Sequence, residues 1–213
     1  NNTGPQMIGG IEPGAGNVIS GNGENGIVVF ADDYTSGTVI QGNFIAGNSI
    51  SGDVDVWAQT VAAYTGASGA GISVQANGIT IKDLTITSFN VGITLGNSDG
   101  LTIDNVAISE TISGIRKSEA AVVTDFEMLG GSIEHSVHGM TVYAATPPFG
   151  SGMGDFSGVL IDGTNFEHLM EKGLYFEQLE SALITGVTMN DVGEFGRNGV
   201  PFGGTTGEFG NGI

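Results

Sequence analysis

A glycine followed by an aliphatic residue recurs along this chain, as Gly26-Ile27, Gly71-Ile72, Gly92-Ile93, Gly114-Ile115, Gly139-Met140, Gly173-Leu174 and Gly212-Ile213. An isoleucine-rich segment precedes nearly every copy. Self-similarity at a period of about 20 to 25 residues marks a repeat architecture, in which each unit stacks on the next to bury a shared core. Equivalent positions of successive repeats then form columns. Chemistry is to be sought in those columns and not in linear motifs.

One repeat reads Leu101-Thr102-Ile103-Asp104-Asn105-Val106-Ala107-Ile108, followed by Gly114-Ile115. The frame recurs from Ile79 to Ile86, Phe126 to Ile133, Val159 to Phe166 and Ala182 to Met189, with weaker copies centred on Ile19 and Ile40. Apolar and polar residues alternate in three short runs per repeat, which is the period of half-buried strands and not of a helix. Between the first two runs stand Gly21, Gly42, Asp83, Asn105, Gly130, Gly163 and Gly186. These residue types tolerate a positive φ, so a left-handed bend is expected at that corner. The pattern predicts an all-β chain, a single-stranded parallel β-helix with three short strands per turn and turns about 4.8 Å apart. One domain spans residues 1–213, with loop insertions near 51–68 and 144–156. Insertions in solenoids commonly gather on the binding face.

The repeats resemble the right-handed parallel β-helix superfamily, in which pectate lyases, polysaccharide epimerases and many secreted surface proteins share one coil. The resemblance covers essentially the whole chain. The opening stretch Gly14-Ala15-Gly16-Asn17-Val18-Ile19-Ser20-Gly21-Asn22, with Asn25-Gly26-Ile27, is similar to repeats of bacterial surface proteins. Right-handedness follows from the resemblance and from the general hand of parallel crossovers. The resemblance implies a cleft along the strand after the Gly dipeptide and the corner before it. The chain lacks the Asp-Pro-His motif of alginate epimerases and a clear Lys/Arg pair of the lyase type.

Glycine contributes 38 of 213 residues and only 13% are charged, as a turn-rich β-solenoid requires. There is no cysteine, which excludes a disulfide scaffold and thiolate metal sites. No apolar run has the length of a membrane-spanning helix, so membrane insertion is not expected. Twenty-three acidic residues against five basic ones give a formal net charge of −18. Such a surface repels nucleic acid and anionic membranes. It suits an extracellular or cell-surface setting, where divalent cations neutralise carboxylates; solubility alone is the plainer reading. No capping segment is evident at either end, so further turns or same-type subunits are expected to pair there, and the chain reads as a piece of a longer protein.

Two residues beyond the third run of successive repeats stand Ser88, Glu110, His135, His168 and Asp191, and beside them Thr87, Ser109, Glu134, Glu167 and Asn190. Outward positions of the strand after glycine carry Thr94, Arg116, Thr141 and Tyr175, with Lys117, His138 and Glu177 near the same seam. This grouping predicts that His135 and His168 stack beside a stacked pair of glutamates. Coupled titratable groups of this kind are functional-site candidates. The ligand surface then comprises Glu110, Glu134, Glu167, Asp191 and Glu177, facing a polysaccharide or surface glycan. If the chain is a uronate lyase or epimerase, the superfamily chemistry implies Arg116 or a bound Ca²⁺ as charge neutraliser, His135 or His168 as base, and Tyr175 as acid or sugar platform. Residues 168–172 read alternatively as a helical turn, which would break the stack. Asp53 and Asp55 offer oxygen donors for calcium, as do Asp32-Asp33 and Asp99 with Asp104, although exposed turn acids have the same composition. His135, His168 and Glu134 or Glu167 would suit zinc.

Overall fold

A computed structural model describes residues 5–30, 37–46, 69–143 and 155–193. Within them the chain is all-β, with 18 strands in one curled sheet whose pairings are parallel throughout. The insertion near 51–68 lies outside the described residues, as does the one near 144–156 except for Asp155 and the buried Phe156 that begins the strand Phe156–Asp162.

Each repeat lies beside the next in strict register. Ile8, Ile40, Ile81, Ile103, Met128, Ile161 and Ile184 follow one another across neighbouring strands. A second apolar column runs through Ile19, Ile45, Ile86, Ile108, Ile133, Phe166 and Met189. The third is the signature itself, through Ile27, Ile72, Ile93, Ile115, Met140 and Leu174. All of these side chains from Ile27 to Leu174 are buried in one continuous core. Each buried aliphatic or aromatic side chain contributes about 1.5 to 3 kcal/mol relative to exposure, so the columns are the main stabilising term.

The glycine of the dipeptide has a steric cause. A Cβ on Gly92 would stand 2.5 Å from the carbonyl oxygen of Gly114 and 2.6 Å from Cγ2 of Ile108. Gly71, Gly114 and Gly139 meet the same two obstacles, the next glycine's carbonyl and a second-column core side chain. Glycine is therefore required by the close approach of backbone to core, and a positive φ plays no part at these four positions.

Left-handed bends separate the three pairing segments. The expected corner is present, with φ between 50° and 69° at Gly42, Asp83, Asn105, Gly130, Gly163 and Gly186. Gly21 belongs elsewhere. Ser20 pairs with Ala46 and Ala46 with Thr87, so Gly21, although also left-handed, precedes Ser88 in the next corner along the repeat. That second corner holds positive φ at Ser88, Glu110, His135, His168 and Asp191. A third corner, not anticipated from the sequence, holds Gly78, Gly100, Asp125, Gly158 and Ser181. Residues 168–172 form no helix: the strand Asn165–Leu169 is followed by a bend and then by Lys172–Phe176.

Candidate functional site

The column expected around the histidines is assembled. Thr87, Ser109, Glu134, Glu167 and Asn190 are successive register partners. One residue on, at the second corner, the ring of His135 lies 4.9 Å from that of His168 at an interplanar angle of 16°. His168 Nδ1 is 3.3 Å from Asp191 Oδ2, both side chains being substantially exposed. At the other end Ser88 Oγ donates to Glu110 Oε2 at 2.5 Å and Thr87 Oγ1 to the same oxygen at 3.3 Å. Glu134 and Glu167 are adjacent, so two carboxylates share one stretch of surface. Hydrogen bonds from the Asn165 and Asn190 side chains hold the Glu167 carboxyl below its ordinary range, with the neighbouring imidazoles adding to the effect.

The strand after the glycine supplies a second group. Thr94, Arg116, Thr141 and Tyr175 are register partners as expected. Arg116 and Tyr175 are thus two strand spacings apart, about 10 Å. Thr141 between them is buried, its hydroxyl donating to Ser113 Oγ at 3.4 Å. Tyr143, which the sequence pattern did not single out, joins the group. The Arg116 guanidinium carbon lies 5.4 Å from the Tyr143 ring centroid, and the Tyr143 and Tyr175 rings are 5.6 Å apart and tilted by 55°. Lys172 Nζ stands 4.0 Å from the Tyr175 ring centroid. Burial raises the Tyr143 hydroxyl above the usual phenol range against the opposing effect of Arg116. Two cations and two aromatic rings therefore form a cation–π cluster.

Tyr175 donates its hydroxyl proton to Glu177 Oε1 at 2.7 Å, and this bond raises its pKa. Lys117 is not a surface member of the seam. It is fully buried in the interior column between Leu95 and Val142, its amine donating to the carbonyls of Ser118 at 3.2 Å and Glu119 at 3.4 Å. Burial lowers its pKa, partly offset by Asp155. His138 also turns out to be engaged: its Nε2 lies 2.8 Å from Glu171 Oε2, and its Nδ1 is buried without a hydrogen-bond partner among the described residues.

Among the described residues no group of three or more His, Asp or Glu side chains is placed to hold a metal ion. The zinc arrangement is therefore corrected. His135 and His168 present stacked ring faces, a geometry in which their nitrogens do not converge on one point. Asp53, Asp55 and Asp32-Asp33 lie outside the described residues. Asp99 accepts a hydrogen bond from the Thr124 hydroxyl at 2.5 Å.

A separate open cavity of about 490 Å³ is lined by Gly10, Glu12, Asn17, Gly42, Phe44 and Asp83 among others, and shares no residue with the histidine column or the tyrosine cluster. Among the described residues no helix is long and apolar enough to cross a membrane. No family model, curated protein or solved structure matches the chain.

Proposed function

We propose that the repeats wind as a right-handed parallel β-helix, and that the protein is an extracellular or cell-surface solenoid with a structural or adhesive role. It contacts a glycan through one flank, formed by the histidine corner and the strand face of Arg116, Tyr143 and Tyr175. The observation that carries this reading is the register. Side chains from separate repeats are brought into vertical files of hydroxyls, carboxylates, imidazoles and aromatic rings, the groups that bind sugars by hydrogen bonding and ring stacking. Further turns or a second copy are proposed to pair with the strand edges beyond Met7–Gly9 and Thr188–Val192.

The test is retention on a glycan array in calcium-containing buffer. Wild-type protein is expected to bind, the double variant Arg116→Ala/Tyr175→Ala to lose binding, and His135→Ala to retain part of it. Absence of binding to any glycan overturns the adhesive reading and leaves a purely architectural segment.

A second reading, polysaccharide lyase or C5-epimerase, is favoured by one contact. Asp191 orients the His168 imidazole as a carboxylate orients a general base. It predicts release of unsaturated sugar from a uronate polymer, seen as new ultraviolet absorbance and abolished by His168→Ala. An unchanged rate in that variant rejects the role.

A further inference from the structure

Among the described residues the first corner is expanded in one repeat alone. Val18 follows Gly9 by nine positions, while their register partners Gln41 and Phe44 are three apart. The spacing of three returns from Lys82 to Thr85 and in every later repeat through Thr185 to Thr188. Pro13 and Gly14 give the added loop a type II turn, with φ 84° at Gly14 and the Ala15 amide donating to the Glu12 carbonyl at 2.9 Å. The Gly10 amide ties it to the next repeat by donating to the Gln41 carbonyl at 2.9 Å.

Loop and corner together wall the open cavity of about 490 Å³, a volume ordinary for ligand sites. Its lining comes from three successive repeats, with Ile11, Glu12 and Val18 from the first, Phe44 from the second and Asp83 from the third. The cavity therefore lies on the flank of the stack. Ile11, Val18 and Phe44 are 71%, 75% and 45% exposed. Val18 and Phe44 head an outward file that continues through Thr85, Ala107, Ser132, Asn165 and Thr188. Large apolar side chains thus occur in this file only where it borders the cavity. Exposed apolar groups gathered in a concavity mark an interaction site, whereas single ones do not.

Asp83 adds a positioned carboxylate. Asn105 Nδ2 donates to its Oδ1 and Gln41 Nε2 to its Oδ2, each at 2.9 Å, and these bonds hold its pKa below the ordinary value. A carboxylate accepts about four hydrogen bonds, so capacity for a ligand remains. Lys82 favours the same charged form but does not line the cavity, and no other lysine or arginine lines it.

We propose that this cavity docks a basic segment of a partner polypeptide, which lays the aliphatic stem of an arginine or lysine over Ile11, Val18 and Phe44 and sets its charged head against Asp83 and Glu12. Long cationic side chains bury their stems on apolar surface while the head keeps polar contacts, and a guanidinium also stacks on an aromatic ring. The formal net charge of −18 draws such a partner to the molecule. The site stands apart from the glycan flank and is independent of that reading.

The experiment is a fluorescence-anisotropy titration of three labelled peptides of equal length with the intact chain: one alternating leucine with arginine, one serine with arginine, one leucine with glutamate. The leucine–arginine peptide is expected to bind about tenfold or more tighter than the serine–arginine peptide and to weaken as salt is raised, and the leucine–glutamate peptide not to bind. Phe44→Thr, which copies the residue of the next repeat, and Ile11→Ser/Glu12→Gln in the exposed loop should each weaken binding about tenfold with an undiminished thermal midpoint. Equal affinity for the two arginine peptides, or affinity untouched in both variants, reduces the interaction to overall charge and overturns the proposal. Binding of none of the three overturns it as well. Loss of glycan-array binding in Phe44→Thr without peptide binding overturns it and assigns the cavity to a sugar.

Discussion

His138 and Glu171 are joined across neighbouring repeats by a 2.8 Å contact between Nε2 and Oε2, with both side chains largely buried. The bond holds the Glu171 carboxyl below the usual glutamate range, against the raising effect of its own burial. A carboxylate whose folded-state pKa is depressed contributes stability above its unfolded value, about 4.3, and loses that contribution as pH falls through the folded value. Replacing His138 by Gln is therefore expected to destabilise the protein by about 2 kcal/mol at neutral pH. It should also move the acid-unfolding midpoint to higher pH. Circular dichroism during acid titration checks this, and coincident curves for the two proteins would contradict it.

Lys117 is an unusual occupant of an apolar column, since its register neighbours Leu95 and Val142 are fully buried aliphatics. Its two carbonyl acceptors satisfy part of the ammonium but do not neutralise it. Lys117→Met is expected to stabilise the protein by about 1 to 3 kcal/mol at pH 7, because the charge is removed and the volume kept. The folded-state pKa is lowered, so the unfolded chain binds the extra proton. The cost to the wild type is present below the folded value and disappears as pH rises toward the unfolded value, about 10.4. Urea unfolding of both proteins at neutral and alkaline pH should show the gap closing. A gap that widens with pH would refute the assignment.

The signature glycines should be intolerant of even one methyl. Gly92→Ala places a Cβ against a backbone oxygen and a core methyl at once, neither of which is a flexible side-chain end, and is expected to cost about 3 kcal/mol. Gly130 is the contrast, with φ 61° and open space around its missing Cβ. Gly130→Asn should cost less than about 1 kcal/mol, since asparagine tolerates that backbone. Thermal unfolding of the two variants distinguishes steric crowding from backbone conformation as the cause of glycine.

The parallel stack was legible in the sequence because the Gly-Ile dipeptide marks one position of every repeat, and the structure pairs those copies directly from Ile27 to Leu174. The first corner was legible because Asp83, Asn105 and several glycines announce a positive φ. Gly21 was placed one corner too early, since the strand Val18–Ser20 is too short for alternation to fix a frame and both corners accept glycine. The left-handed backbone of the second corner was hidden because Ser88 and Glu110 are not residues that propensity assigns there, and the enrichment of His and Asp at positive φ is too weak a signal alone. Side-chain direction was the other gap. Lys117 next to the exposed Arg116 turns inward by simple alternation, which residue type alone argued against. The Tyr143 contacts and the His138–Glu171 pair are not legible in the sequence because the insertion near 144–156 breaks the count that would align them with the next repeat.

Consecutive repeats lie in parallel register, which makes Glu134 and Glu167 direct neighbours. The chain has no cysteine, which makes disulfide trapping clean. Glu134→Cys/Glu167→Cys should oxidise to an intramolecular bridge, because paired strands bring Cα atoms within the roughly 4.4 to 6.8 Å that a disulfide spans. Glu127→Cys/Glu167→Cys, whose first site pairs instead with Thr102 and Leu160, should not. Rapid bridging of the first pair alone is the predicted result; failure of that pair, or equal bridging of both, would contradict the stacked register on which the ligand surface depends.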